Sequence, residues 1–301
     1  MENSSRYVEL IRRFSPPACP LPVREELPAA QEPPPCGRKI RAYLFDVYGT
    51  LFMSASGDIS FLDAQAHNQK SAARLQNEKN AQEIERVKNL LEPFGTNASL
   101  PSLREIFTSA VRAGHEKLRP EKEYPEIDVR TIWADALCVS PEEAPELALR
   151  FELAVNPVYP MPGLAAFLAA LKKTGRPLGI VSNAQFFTPL LFEAFLGAPP
   201  GELGFLSELC TYSFLEGEAK PSQRLFRASL KNLAPLGLDA EDTLYTGNDM
   251  RNDIWPAASA GLTTALFAGD ARSLRLRKND ARCARTQPAF VVKTLEEILL
   301  L

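Results

Sequence analysis

Histidine is scarce in this sequence, whose 301 residues contain two, His67 and His115. Both lie in stretches that predict solvent-facing helix, so we expect surface residues. A Ser-His catalytic pair or a histidine-rich zinc site therefore has too few residues to build on. If the protein is an enzyme, carboxylates and lysine must supply the chemistry.

Other features that the sequence lacks narrow the class of protein further. The five cysteines are scattered and show no CxxC spacing, which indicates reduced thiols rather than a disulfide or zinc framework. The net charge of −3 gives no electrostatic reason to expect nucleic acid or an anionic membrane as a partner. No apolar run approaches the roughly 20 residues of a membrane span, and the first residues lack the apolar stretch of a secretory signal. We expect a cytoplasmic protein.

Composition divides the chain into a tail, a core and an insert. Residues 1–37 are dense in proline, which predicts a mobile tail with at most an isolated helix over SSRYVELIRRF. Residues 57–157 carry helix formers with apolar residues at helical spacing and almost no strand signal. Residues 38–56 and 158–301 alternate short apolar strands with helices, as βαβ units do. The predicted fold is an α/β, Rossmann-like, doubly wound parallel sheet with an all-helical cap domain inserted after its first strand.

Polar side chains follow the predicted strands. In an open parallel sheet, ligands bind in the crevice beyond the carboxyl ends of the strands. The residues at these ends, or in the loop before a helix, are Asp46, Thr50, Ser182, Asn183, Lys220, Asn248, Asp249 and Asp253. We expect these carboxylate, hydroxyl, amide and ammonium groups to converge on one rim of the sheet.

The same stretches resemble the haloacid dehalogenase (HAD) superfamily. FDVYGTL resembles its first signature, VSNA the second, Lys220-Pro221 the third and GNDMRND the acidic fourth, all in the family order. The resemblance runs from about Ile40 to the C-terminus, and the helical insert lies where some members carry a cap. It implies a hydrolase with Asp46 as nucleophile and Lys220 as the charge that balances it.

The resemblance also implies a substrate site and a metal. Thr50, Ser182 and the backbone amide of Asn183 would bind the substrate. Mg²⁺ would be the cofactor, because it prefers oxygen ligands and binds through carboxylates together with substrate phosphate. The candidate metal ligands are Asp46, Tyr48, Asn248, Asp249 and Asp253. The spacing to Asp253 fits either Asn248 or Asp249 as the residue that faces the metal.

Tyr48 departs from the phosphatase pattern. Members that hydrolyse phosphate esters carry a second Asp two residues after the nucleophile as general acid and base, and Tyr48 occupies that position. A phenol is a poor proton donor to an alkoxide, and tyrosine here resembles the dehalogenase branch, in which the departing halide needs no proton. The acidic fourth signature resembles instead the metal-binding phosphatase form.

Three hypotheses follow. The first is a Mg²⁺-dependent, phosphatase-like hydrolase of a small phosphorylated metabolite, with the cap closing over the site. The second is a 2-haloacid dehalogenase that needs no metal, and the third is a non-catalytic binding protein on the same fold. In each enzymatic case the partner is a small molecule, and in the third the proline-rich tail would bind a protein partner.

Overall fold

A six-stranded parallel sheet forms the centre of the molecule. The structure, a computed structural model, describes residues 2–30, 40–55, 79–95 and 98–301. In chain order its strands are β1 (Ala42–Phe45), β2 (Phe52–Ser54), β3 (Val158–Pro160), β4 (Leu178–Ser182), β5 (Phe205–Tyr212), β6 (Thr243–Gly247), β7 (Thr263–Phe267) and β8 (Phe290–Val292). The main sheet has the order β5-β4-β1-β6-β7-β8, and each neighbouring pair is parallel. The predicted fold class is confirmed.

Helices connect these strands and continue through the insert. In the described part they are α1 (Glu2–Phe14), α2 (Lys79–Leu91), α3 (Leu100–Leu118), α4 (Val129–Leu137), α5 (Ala144–Val155), α6 (Leu164–Lys173), α7 (Thr188–Leu196), α8 (Ser213–Glu216), α9 (Gln223–Leu233), α10 (Trp255–Ser259), α11 (Ala281–Ala284) and α12 (Leu295–Ile298). Short 3₁₀ turns lie at Glu92–Phe94 and Ala234–Leu236, and a π-helical turn lies at Met250–Ile254.

Both faces of the sheet are buried, which explains the continuous apolar character of β1. Successive side chains of a strand point to opposite faces. Tyr43 and Phe45 belong to the cluster that contains Phe167 of α6, whereas Leu44 belongs to the cluster that contains Phe226 of α9. A strand covered in this way reads as an unbroken apolar run rather than as an alternating one.

The helical insert has a core of its own aromatic side chains. The Trp133 ring of α4 contacts the rings of Phe94, Phe107 and Phe151 at centroid distances of 5.3, 5.7 and 4.9 Å. The antiparallel ribbon of β2 and β3, which the sequence did not predict, joins the insert to the sheet. Residues 56–78, including His67, lie outside the described residues. The domain boundaries and the role of the insert as a cap stay predictions.

The first helix is packed, which differs from the expectation of a mobile tail. Val8, Ile11 and Phe14 of α1 follow helical spacing and are buried in the main hydrophobic cluster. Such an apolar stripe is more stable against a core than in water. The proline-dense stretch that predicts a mobile tail begins after this helix, and residues 31–39 lie outside the described residues. The mobility of that stretch stays a prediction.

The α1 helix contacts both the sheet domain and the insert. Arg12 donates from Nε to the carbonyl oxygen of Ala194 in α7 at 2.8 Å. On the insert side, Arg86 of α2 donates from Nη1 to the carbonyl oxygen of Phe14 at 3.0 Å. Arg6 also forms an ion pair with Glu146 of α5. The N-terminal helix therefore bridges the two parts of the molecule.

Among the described residues, no helix has the length and apolar character needed to cross a membrane. A cytoplasmic location stays a prediction.

Candidate active site

Three adjacent strands carry the candidate residues to one edge of the sheet. Asp46 directly follows β1, Ser182 is the last residue of β4, and Asn248 directly follows β6. Because β4 and β6 are the two parallel neighbours of β1, their carboxyl ends lie on either side of Asp46. Lys220 enters from the loop between α8 and α9. The structure thus confirms that these distant stretches meet.

One oxygen of Asp46 is held firmly. The carboxyl group is 6% exposed, and its Oδ1 accepts hydrogen bonds from Ser182 Oγ at 2.8 Å and from Lys220 Nζ at 2.7 Å. None of the described residues donates a hydrogen bond to Oδ2. Asp46 lines a small cavity, so its second oxygen is the one available to a ligand.

The Lys220 ammonium group has three acceptors. It donates to Asp46 Oδ1, to Asp253 Oδ1 at 2.5 Å and to the Tyr245 hydroxyl at 3.1 Å. An ammonium group has three N–H donors, so this set satisfies it. Asn183 holds the lysine from the side: its Oδ1 accepts the backbone N–H of Lys220 at 2.6 Å. Lys220 is therefore oriented before any ligand arrives.

Burial, and the presence of two carboxylates beside one ammonium group, shift the pKa values of Asp46 and Lys220. Burial raises the pKa of Asp46 from 3.8 to about 7, and the attraction of Lys220 only partly offsets burial. Burial alone would lower the pKa of Lys220, but the two carboxylates of Asp253 and Asp46 outweigh it and raise that pKa. Two carboxylates share one ammonium ion, and protonation of Asp46 removes one of the two negative charges.

Asp253 positions Lys220 and closes the turn after β6. Its Oδ2 accepts the backbone N–H groups of Asn248 at 3.0 Å and Asp249 at 2.9 Å, while its Oδ1 bonds Lys220 and the Tyr245 hydroxyl. A Cβ on Gly247 would lie 2.4 Å from Asp253 Cγ, so only glycine fits at this position.

Asn248 and Asp249 have different partners. Asn248 donates from Nδ2 to the carbonyl oxygen of Ser273 at 2.6 Å and accepts from Thr50 Oγ1 at 3.3 Å. Asp249 caps the π-helical turn and receives Arg277, whose Nη2 lies 2.7 Å from Asp249 Oδ2. Thr50 is fully buried, and its hydroxyl donates to Asn248. Its part in substrate binding stays a prediction.

Tyr48 lies beside Asp46 with its hydroxyl turned into the protein. The phenol oxygen is 2.9 Å from Thr188 Oγ1, and the side chain is buried. Burial raises the pKa of Tyr48 well above 10. A neutral phenol bonded to a threonine hydroxyl is not poised to transfer a proton to a leaving group.

Two adjoining cavities lead to Asp46. The first, of about 20 Å³, is lined by Asp46, Tyr48, Asn248 and neighbouring residues and holds about one water molecule. The second measures about 410 Å³ and lies between the insert and the sheet domain. Asn183, Lys220 and Asn252 line both cavities, which places the larger one next to the nucleophile.

A family model described as haloacid dehalogenase-like hydrolase matches residues 40–261 of this chain. The chain belongs to the haloacid dehalogenase-like hydrolases. No curated protein matches it.

Three solved structures are similar to this chain. An L-2-haloacid dehalogenase is similar with a TM-score of 0.50 at 16% identity, covering 86% of this chain and 97% of that one. A HAD phosphatase from Thermococcus onnurineus has a TM-score of 0.49 at 19% identity, covering 86% and 95%. The HAD hydrolase YfnB from Bacillus subtilis, described as bound to magnesium, has a TM-score of 0.46 at 18% identity, covering 87% and 98%. At these identities the likeness concerns the fold.

The residues of this HAD hydrolase match the expected metal ligands only in part. The described residues contain no group of three or more His, Cys, Asp or Glu side chains that could hold a metal ion. Asp249 and Asp253 direct their carboxylates to Arg277 and Lys220. The oxygen atoms that remain for a cation belong to Asp46 and to Asn248, whose Oδ1 already accepts one hydrogen bond, from Thr50. Mg²⁺ usually binds one or two carboxylates plus substrate phosphate and water, so this reduced set fits Mg²⁺ in the company of a phosphate.

Sequence reasoning missed two residues of the site. Tyr245 bonds both Lys220 and Asp253, and its signal was a phenol in the middle of the buried strand TLYTG. Arg277 pairs with Asp249 from 28 residues away, in a loop with no strand or signature beside it. No pattern in the sequence pointed to that pair.

Proposed function

We propose that the protein is a phosphatase-like hydrolase that transfers a phosphoryl group from a small phosphorylated metabolite to Asp46 and then to water. The observation that carries this proposal is the unequal use of the Asp46 carboxylate. Ser182 and Lys220 fix its Oδ1, whereas none of the described residues donates a hydrogen bond to Oδ2, and Asp46 lines a cavity. An oriented carboxylate beside a buried cation has the arrangement of an activated nucleophile.

The reaction takes place in two steps. Asp46 Oδ2 attacks phosphorus, the bond from phosphorus to the leaving oxygen breaks, and an aspartyl phosphate forms. Water then attacks phosphorus, the bond to Asp46 breaks, and inorganic phosphate and the free carboxylate result. Lys220 offsets the negative charge that the phosphoryl group brings to the buried carboxylates. Asp46 and Asn248 would hold Mg²⁺, which would neutralise part of the charge on the phosphate.

Tyr48 does not supply a proton to the leaving group. That phenol bonds Thr188 and has a raised pKa. Leaving oxygens that are stable as anions, such as those of aryl and acyl phosphates, need no proton in the first step. We therefore expect faster turnover of aryl and acyl phosphates than of alkyl phosphates.

Release of p-nitrophenol from p-nitrophenyl phosphate tests the proposal. Wild-type protein is assayed with Mg²⁺ and with EDTA, and the Asp46→Asn variant is assayed in the same way. The matched control is Asp135→Asn, which changes an exposed aspartate on α4, outside the candidate active site. We expect release that needs Mg²⁺, is lost in Asp46→Asn and persists in Asp135→Asn. Release that is equal in wild type and Asp46→Asn would refute the proposal.

Dehalogenation of a 2-haloacid is the second candidate, and the neutral Tyr48 favours it, as do the ion pairs that occupy Asp249 and Asp253. Asp46 would attack the carbon that bears the halogen, halide would leave, and water would hydrolyse the resulting ester. Chloride release from 2-chloropropionate in EDTA, together with no release of p-nitrophenol, would select this reaction.

A further inference from the structure

The larger cavity can hold much more than a phosphoryl group. Its volume of about 410 Å³ falls within the range of about 300–1,000 Å³ that is usual for small-molecule sites. The insert contributes His115 and Arg119 to its wall, and the sheet domain contributes Gln185 and Lys220. The remainder of a substrate, beyond its reacting group, would be bound here.

The wall of this cavity carries an excess of positive charge. Among the described residues, the cationic side chains that line it are those of Lys220, Arg119, Arg251 and Arg282. The carboxylates that line it are those of Glu126 and Glu152. Both carboxylates already receive protein donors. Ser213 Oγ donates to Glu126 at 2.7 Å and Asn156 Nδ2 donates to Glu152 at 2.8 Å. These neutral donors hold the two carboxylates in place without removing their charge, and Lys220 and Arg282 are themselves paired with carboxylates. A cation of the wall that lacks an acidic partner is therefore the group to look for.

Arg282 is an arginine held in one orientation. Its Nε and Nη2 donate to the two oxygens of Asp280 at 3.0 and 2.7 Å. Its guanidinium carbon lies 4.9 Å from the centre of the Trp255 ring, and Nη1 is 3.3 Å from the Tyr124 hydroxyl. Pairing with Asp280 offsets much of its charge, so Arg282 contributes mainly a fixed wall.

Arg119 has no such partner. It ends α3, and it forms no ion pair with any residue that the structure describes. His115, one turn earlier, lines the same cavity, and burial together with Arg119 lowers its pKa, so the imidazole is neutral above pH 7. At this end of the cavity the charge that could recognise an anion is that of Arg119.

We propose that the substrate is an organic phosphate whose remainder carries a second acidic group, a carboxylate or a further phosphate, and that Arg119 binds this group. The proposal rests on the phosphatase-like function proposed above. Lys220 and Arg119 line one cavity, so one molecule can place its reacting phosphate at Asp46, beside the charge of Lys220, and its second acidic group at Arg119. Asp46 and Lys220 take the reacting phosphate, and the guanidinium of Arg119 takes the distal acid through charge-assisted hydrogen bonds.

Three aryl phosphates that differ in the group at the para position test this inference: phenyl phosphate, 4-carboxyphenyl phosphate and 1,4-phenylene bisphosphate. We expect wild-type KM to be lower by about tenfold or more for the two that carry a second acid, the gain of a charged hydrogen bond. In Arg119→Gln this KM ratio should fall toward one, and Arg119→Lys should restore part of it. Arg112→Gln, on the same helix but outside the cavity wall, is the matched control and should keep the wild-type ratio.

Binding to the Asp46→Asn protein, measured by titration calorimetry, gives a readout that does not need turnover. The two diacids should bind at least about tenfold more tightly than phenyl phosphate, and the additional Arg119→Gln substitution should remove the difference. Equal dissociation constants for the three compounds, or an equal loss for all three on substitution of Arg119, would overturn the inference. Preferential binding of diacids without any hydrolysis by wild type would instead overturn the proposed function and leave the second acidic site standing.

Discussion

Replacing Asp46 by asparagine should stabilise the protein while abolishing catalysis, and the gain should depend on pH. Burial raises the pKa of this carboxyl group to about 7 from 3.8, so folding opposes its ionisation. The asparagine amide keeps the shape of the side chain and one oxygen that accepts from Ser182 and Lys220. Lys220 retains Asp253 and Tyr245 as acceptors after the change.

The magnitude follows from the two pKa values. A difference of one pKa unit corresponds to about 1.4 kcal/mol, so ionised Asp46 costs the folded state on the order of 4 kcal/mol at pH 8. Because the pKa is raised on folding, the contribution of this group is most favourable below pH 4, declines as pH rises to 7, and is constant above. Asparagine does not titrate. The stability advantage of Asp46→Asn should therefore be about 3 kcal/mol larger at pH 8 than at pH 5.

Urea unfolding followed by tryptophan fluorescence measures this difference. Wild type, Asp46→Asn and the exposed control Asp135→Asn are unfolded at pH 5, 6, 7 and 8, and the free energies are obtained by linear extrapolation. Asp135→Asn should follow wild type at every pH. A gap between Asp46→Asn and wild type that stays constant with pH, or a variant less stable than wild type at pH 8, would show that the carboxyl group is not held near neutrality by burial.

Two substitutions of tyrosine test the surroundings of the nucleophile. Tyr245→Phe removes a hydroxyl that bonds Asp253 and Lys220, so the free energy of unfolding should fall by about 1–2 kcal/mol and kcat should fall with it; an unchanged urea midpoint and kcat would contradict the positioning role. Tyr48→Asp places a carboxyl group two residues after the nucleophile, so hydrolysis of ethyl phosphate relative to phenyl phosphate should rise by about tenfold or more, measured as release of inorganic phosphate. An unchanged ratio would mean that proton transfer to the leaving group does not limit the rate.

The parallel sheet was predictable because its strands are short apolar runs that alternate with helices along the sequence. The run from Ala42 to Phe45 is apolar at every position, and the structure buries each side chain on one face or the other. The same pattern located Asp46, since the strand ends immediately before it. The convergence with Ser182 and Lys220 followed from the rule that parallel strands present their carboxyl ends at one edge.

Side-chain pairing within the site was less predictable. The spacing in GNDMRND allowed either Asn248 or Asp249 to face a metal, and the choice depends on Arg277, whose loop carries no recognisable pattern. The sequence predicts Asp253 as a candidate metal ligand, and in the structure its oxygens accept two backbone N–H groups and the Lys220 ammonium group. Such partners are selected by tertiary packing, which local sequence does not encode.

The N-terminal helix α1 has a consequence for how substrate enters. Its bonds run to Ala194 on one side and to α2 and α5 on the other, so it spans the joint about which the two parts would swing apart. Any widening of the cavity mouth must either carry this helix along with one part or detach it from the other, and detachment would expose Ile11 and Phe14 to water. Such a movement would therefore act on a segment that lies outside residues 40–261, the part that matches the family model.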